Sequence, residues 1–368
     1  MNNDKIRAIG AGVLAVLWFV LAGFAWFGPT EEMSESERRP LDQMPKLSVE
    51  TLLDGSFMED FESYTLDQFP VRDTFRQIKA LFHYNALRQK DNNGIYIADG
   101  YAAKLEYPLN PTSVTYAAGR FTHFYEKYLK NNGSTVFMTV VPDKGYYLAE
   151  KNGYLAMDYE AMFEGFRQEM PWATHIDITD CLSYDDYYRT DTHWRQEALL
   201  DVAGRLSTAM GVTIPKAEDF TVTAIERPFY GVYYGQAALP MEPETMYIMN
   251  SKLLDACTVY DFESNAYSKV YDMKKLSGKD LYDIYLSGSR SLLTIENPNA
   301  ATDRELIVVR DSFGSSIVPL LVQDYAKVTL VDIRYIGIDV LDRFMEFNGQ
   351  DVLFLFSTLV LNNSSTIK

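Results

Sequence analysis

Three textures follow one another along the chain. From Ala8 to Gly28 there is no charged residue, and the run IRAIGAGVLAVLWFVLAGFAWFG is long enough, as a helix, to cross a hydrocarbon core of ~30 Å. A polar, acidic, proline-punctuated stretch follows over residues 28–46, GPTEEMSESERRPLDQMPK, in the manner of a juxtamembrane linker. From Ser48 to Lys90 the pattern turns helical. Leu52, Phe57, Phe61, Tyr64, Phe69, Phe75, Ile78, Leu81 and Phe82 recur mostly at spacings of three to six, with FPVRD breaking the run near Pro70. This predicts two amphipathic helices, a stem that packs against a main body.

After DNNG (91–94) short apolar runs alternate with helical patterns. The runs are VFMTVV (136–141), HIDIT (175–179), LIVVR (306–310), KVTLVDI (327–333) and VLFLF (352–356). Helical patterns occupy 114–130, 158–170, 194–210 and 315–326. Buried β-branched runs separated by helices predict an α/β fold, a mostly parallel sheet flanked by helices. Residues 211–298 are tyrosine-rich with turn signals and weak alternation, as in FYGVYYG, and predict an inserted β-rich subregion or cap. The expected domains are 1–28, a cytoplasmic tip and transmembrane anchor; 29–92, linker and helical stem; and 93–368, the α/β domain with its insertion.

Charge orients the picture. Lys5 and Arg7 precede the apolar span, and Glu31, Glu32, Glu35 and Glu37 follow it, so the positive-inside rule keeps the N-terminus cytoplasmic and exports the rest. Trp18 falls mid-span and Trp26 at its exit, where indole prefers the interface. The other reading is a cleaved signal peptide, whose apolar region would be unusually long and which lacks a clean small-x-small site. The prediction is a single-pass protein of the cell membrane with a large extracytoplasmic body. With 34 basic and 51 acidic residues the net charge is -17, which argues against nucleic acid and leaves neutral small molecules and glycans open. Cys181 and Cys257 are too few for a disulfide framework; they form one bridge or stay as two buried thiols.

In an open α/β sheet, chemistry gathers at the carboxyl ends of the strands. Pro142, Asp143 and Lys144 follow VFMTVV, the DTHW stretch (191–194) follows HIDIT, and Asp311 and Ser312 follow LIVVR. In RDSFGSS (310–316) Ser312 sits at a strand-to-helix turn, close to N–H groups that can stabilise an oxyanion; the plainer reading is a helix N-cap. A hydroxyl needs a neighbouring base to attack a carbonyl, and His193 with Asp191 on its other nitrogen would supply one. A surface ion pair and a pair of metal ligands are the alternatives, though His83, His123 and His175 add no ligand spacing. Neither metal nor cofactor is called for.

The motifs resemble those of the DHHW family of bacterial exported proteins and, through it, the SGNH-hydrolase-like acetyltransferases of alginate O-acetylation. SERRPL (36–41), DQFPVRD (67–73), VVPDK (140–144), YYRTDTHW (187–194), VVRDSFGSS (308–316) and VDIRY (331–335) carry the resemblance. It implies a flavodoxin-like sheet and a triad of Ser312 as nucleophile, His193 as general base and acid, and Asp191 as its orienter. It also implies an acyl donor supplied by a membrane-bound O-acyltransferase and a glycan acceptor, or, in a non-catalytic member, glycan binding or scaffolding of an export complex. The chain departs from the family at Thr192, where the family name has histidine, and at YLSGSR (285–290), where Gly288 and Ser289 stand in place of a Gly-Asn pair that would help form an oxyanion hole. Lys144 could meet an anionic group or the donor, or be a solvated loop lysine. Arg334 could clamp a substrate oxygen, or pair with Asp332 or Asp311. Tyr187, Tyr188 and Trp194 could stack on sugar rings, or fill core.

Overall fold

The computed structural model describes residues 3–34 and 36–368; Glu35 and the side chain of Trp26 lie outside the described residues. Two compact units emerge. One comprises the N-terminal residues through Asn93 with Tyr234–Pro240, the other Gly94–Tyr233 with Met241–Lys368.

The first unit begins with a helix over Asn3–Phe27, whose segment Lys5–Ala25 is long and apolar enough to cross a membrane and is not buried by protein. Residues 28–46 are not a free linker. Met33–Ser34 pairs with Arg39–Pro40, and the Asp67 carboxylate accepts hydrogen bonds from both Arg39 Nη atoms (2.7 and 2.6 Å) and from Asp42 N (2.9 Å). The stem has three helices rather than two: Val49–Leu53, Ser56–Asp67 and Arg72–Asn85. Ser48 caps the first through a reciprocal bond with Thr51, and Gly55, at φ 84°, turns the chain into the second.

The second unit is built on one eight-stranded sheet. In chain order its strands are β1 (Thr135–Val141), β2 (Thr174–His175), β3 (Thr258–Asp261), β4 (Ala266–Ser268), β5 (Leu292–Glu296), β6 (Arg304–Arg310), β7 (Tyr325–Val331) and β8 (Asp351–Ser357). Their order across the sheet is β4-β3-β5-β7-β6-β8-β1-β2. The strands from β7 to β2 run parallel, and β5, β3 and β4 continue the sheet antiparallel. The apolar runs alternate between two cores, as a period of two dictates. Leu306 and Val308 face one side, with Val202 and Leu206 of the helix Leu200–Met210. Ile307 and Val309 face the other, with Phe121 and Phe166 of the helices Pro111–Phe124 and Tyr159–Glu169.

Local chemistry trimmed several expected elements. HIDIT yields only the two-residue β2, because the Asp177 carboxylate accepts from Thr179 N (2.9 Å) and turns the chain into a 3-10 segment, Thr179–Cys181. The helix expected from 194 begins at Leu200, after Gln196 is drawn into bonds described below. Residues 211–298 hold a hairpin, Thr221–Ala224 with Tyr247–Asn250, and also donate β3, β4 and β5 to the main sheet. Cys181 and Cys257 are both free thiols.

Candidate active site

Three adjacent parallel strands, β6, β8 and β1, end at one rim, and their polar residues tie those ends together. The Asp311 carboxylate, just past β6, accepts from Phe313 N (3.0 Å) and from Ser357 N and Oγ (both 2.7 Å) at the end of β8. The Asp143 carboxylate, just past β1, accepts from Gly145 N (2.6 Å), from Thr358 Oγ1 (2.7 Å) and from Tyr159 OH (3.0 Å). Burial pushes the Asp143 carboxyl upward, against the pull of these donors. Asp311 thus shapes the turn that presents Ser312, which stays partly exposed between buried neighbours.

The N-cap reading of Ser312 is corrected by this turn. The short helix Gly314–Ile317 has Phe313 at its cap position and no side-chain cap, and the Ser312 hydroxyl points to an imidazole instead. Its Oγ lies 2.8 Å from His193 Nε2, and His193 Nδ1 lies 2.6 Å from Asp191 Oδ1. The structure therefore brings Asp191, His193 and Ser312 into one line. A carboxylate only accepts, so it holds the proton on Nδ1 of the neutral ring and leaves Nε2 to accept from the serine hydroxyl.

The spacing of Asp191 and His193 now has a physical account. Tyr187 and Trp194 bridge antiparallel, and Tyr188 N donates to His193 O (3.0 Å), so residues 187–194 fold back on themselves with Asp-Thr-His at the bend. Asp191 Oδ1 accepts from His193 N (3.0 Å) as well as from its ring, while Oδ2 accepts from Val232 N (2.8 Å). The bend is braced by Glu244, which accepts from Arg189 N (2.8 Å) and Thr190 N (2.9 Å). Gly231 lies so close that a Cβ there would sit 2.3 Å from the Cβ of Asp191 and 2.3 Å from Thr190 O.

Most of the supporting residues brace the fold rather than line an open surface. Trp194 and Tyr188 are fully buried and offer no face to a sugar. Trp194 is a strut between the two motifs: its Nε1 donates to Ser316 Oγ (2.9 Å) and Phe313 O (3.2 Å). Gln196 continues the strut, donating to Ser316 O (2.8 Å). Tyr187 is equally buried and donates to Pro142 O (2.5 Å). Lys144 is no solvated lysine and reaches no open surface. It is buried, donates to Tyr188 O (2.8 Å) behind the DTHW bend, and lies 5.1 Å from the Tyr233 ring. Burial lowers its pKa to about 7, with Asp191, Glu244 and Asp143 opposing the drop. Arg334 is held by Asp332 through Nε (2.9 Å) and Nη2 (2.7 Å), so the ion-pair reading applies. Gly288, at φ 81°, is buried with its carbonyl 3.5 Å from Arg310 Nη2, and Ser289 beside it is exposed.

Residues that sequence reasoning missed complete the surroundings. Tyr282 stacks on the His193 ring, centroids 3.8 Å apart and planes 10° apart, and its OH bonds Ser316 Oγ (2.8 Å). Arg310 is buried beneath the serine turn, donating to Ser315 Oγ (3.0 Å) and Asp311 O (3.2 Å). Nothing in the spacing marks Tyr282, and Arg310 is marked only as the first residue of RDSFGSS. The remaining histidines lie elsewhere: His123 pairs with Asp339 (2.9 Å), and His175 bonds Met170 O (3.0 Å).

A parallel-centred sheet of this order, with a serine at the end of a central strand, is an SGNH-like α/β fold. The DHHW protein family matches residues 181–331, a stretch that holds both DTHW and RDSFGSS, so the resemblance drawn from those motifs stands. Among solved structures the chain is similar to a DHHW family protein from Eubacterium siraeum, at 23% identity and a TM-score of 0.62, covering 75% of this chain and 95% of that one. It is also similar to PatB1 of Bacillus cereus, solved with a sulfonyl adduct, at 17% identity and a TM-score of 0.57, covering 73% of this chain and 95% of that one. No curated protein matches the sequence.

Proposed function

We propose that this protein is a membrane-anchored, extracytoplasmic serine acyltransferase that moves an acyl group, acetyl by resemblance, onto a hydroxyl of an exported or cell-wall glycan. The observation that carries the proposal is the continuous line from the Asp191 carboxylate through the His193 ring to the Ser312 hydroxyl, at 2.6 and 2.8 Å. In the forward half-reaction Ser312 Oγ attacks the acyl carbonyl of the donor and its proton passes to His193 Nε2. The tetrahedral oxyanion collapses, His193 returns the proton to the leaving group, and an ester remains on Ser312. In the second half His193 takes the proton of a glycan hydroxyl, which attacks that ester and frees the serine. Where water enters instead, the same site is an esterase. Asp191 holds the tautomer and balances the transient imidazolium, and Tyr282 holds the ring plane.

The apolar helix over Lys5–Ala25, with Lys5 and Arg7 in its first turn and acidic residues after it, supports an anchor with the body outside. Such a body would receive its acyl group at the membrane from a membrane-bound O-acyltransferase. The test is hydrolysis of p-nitrophenyl acetate by the purified full chain and by Ser312→Ala. Loss of turnover in the variant supports the reading. Equal rates in the two would remove the triad and leave glycan binding or scaffolding as the function.

A further inference from the structure

The helix Arg72–Asn85 is amphipathic in the inverted sense. Its inward face is polar: Arg72 and Arg76 both pair with Glu37, Arg76 at 3.0 Å, and Arg76 Nη2 donates to Gly235 O (2.8 Å). Its outward face is apolar. Phe75, Ile78 and Phe82 are 44%, 56% and 56% exposed, and Val71, the residue just before the helix, is 66% exposed. Their spacings of four, three and four put them in one stripe. A helix that turns its arginines inward and its phenylalanines outward is not arranged for water on that outer side.

The neighbouring chain identifies the cover. The stem is pinned to the exit of the apolar helix. Glu31 N donates to Gln68 Oε1 (2.9 Å), and Gln68 Nε2 donates back to Glu31 O (2.9 Å) and to Asp42 O (3.0 Å). Glu31 is only six residues past Ala25, the end of the candidate span, at most about 20 Å of extended chain. Gln68 lies at the turn immediately before Val71. The apolar stripe therefore starts three residues past a residue bonded to Glu31, near the point where the chain leaves the hydrocarbon. An amphipathic helix with an apolar side of Phe, Ile and Leu beds about 5–10 Å into the headgroup boundary of a bilayer.

We propose that the Val71–Phe75–Ile78–Phe82 face lies in the outer interface of the same bilayer that the Lys5–Ala25 helix spans, so that the protein is held by a span and by an interfacial helix together. This rests on the anchored reading of the N-terminal helix, and the test separates the two. The full chain, with Cys181→Ser and Cys257→Ala, carries one new cysteine bearing an environment-sensitive nitrobenzoxadiazole dye and is reconstituted in phosphatidylcholine vesicles, with or without nitroxide-labelled phosphatidylcholine. Dyes at Phe75→Cys, Ile78→Cys and Phe82→Cys are expected to shift to the blue and to lose most of their emission to a headgroup-proximal nitroxide. A dye at Glu62→Cys should stay in water and unquenched, and one at Val16→Cys should be quenched by a nitroxide deep in the acyl chains. If Val16→Cys is quenched while the stripe remains water-exposed, the interfacial helix is wrong and the anchor stands. If the stripe is shielded from water yet untouched by lipid nitroxide, a protein covers it and the proposal falls. Quenching at the stripe without quenching at Val16→Cys removes the anchor and with it the joint attachment proposed, leaving an interfacial helix alone.

Discussion

The serine turn and the stem helix treat the same kinds of side chain in opposite ways. Around Ser312 the polar groups are buried one behind another and the carboxylates and the indole are answered: Asp311 by two backbone N–H groups and Ser357, Asp191 by His193 and Val232, Trp194 by Ser316. Aromatic rings close over them, and Ser312 is left partly exposed. The helix Arg72–Asn85 also has its arginines answered, by Glu37, but leaves its aromatic and aliphatic residues uncovered. Satisfied polar networks fix geometry in both regions. The difference is which surface remains for another molecule: a single activated oxygen in one, a broad apolar stripe in the other. The first suits chemistry and the second suits a bilayer.

Breaking the polar line should have the largest effect. Ser312→Ala and His193→Ala are each expected to lower kcat on the order of 10⁴-fold or more, and the double variant should be no worse than either, because the two act as a unit. Steady-state kinetics on an aryl acetate checks this; additive losses would mean the residues work separately. Asp191→Asn keeps the shape but can favour the wrong imidazole tautomer, and should cost up to about 10⁴-fold in kcat with little change in KM. Gly231→Ala puts a methyl group against Asp191 and Thr190, and should cost about 1–3 kcal/mol in denaturant unfolding and lower kcat as Asp191 is displaced.

Tyr282→Leu should reduce kcat about tenfold by freeing the His193 ring, with KM nearly unchanged and Tyr282→Phe restoring most of the rate. A rate equal to wild type for Tyr282→Leu would show that the stacked ring positions nothing. Lys144 sharpens the comparison through pH. Its folded pKa of about 7 lies below the unfolded lysine value of about 10.4. Between those values the unfolded chain binds more protons than the folded one, so stability rises with pH from about 7 toward 10 and is lost as pH falls back to 7. Melting temperatures of wild type and Lys144→Met, measured from pH 7 to 9, should diverge in favour of wild type at the alkaline end. Parallel curves would mean that the buried amine is charged throughout.

Much of the sheet was legible because its strands are buried on both faces and therefore read as unbroken apolar runs. LIVVR and VLFLF fall within β6 and β8, and KVTLVDI overlaps β7 up to Val331 and runs two residues past it. HIDIT was over-read, since a period-two pattern does not reveal that Asp177 turns the chain after two residues. At the site, the Asp-x-His spacing was legible because one bend suffices to bring both groups together. The meeting of His193 with Ser312, far along the chain, rested on the family resemblance rather than on any local pattern. For Tyr188 and Trp194 the motif positions left sugar contact and core packing open, and for Lys144 substrate contact and a solvated loop. Each is buried to brace the DTHW bend or tie it to the serine turn, a role for Lys144 that neither reading gave. Tyr282 and Glu244 gave no signal at all, because each acts only through a contact made in three dimensions.

The most direct test of the central claim is covalent capture of the nucleophile. The full chain is treated with an aryl sulfonyl fluoride, digested, and the adduct located by peptide mass. The account predicts a single sulfonyl ester on Ser312 that forms quickly in wild type and is nearly absent in His193→Ala. An adduct on another residue, or labelling of Ser312 at the same rate without His193, would contradict it.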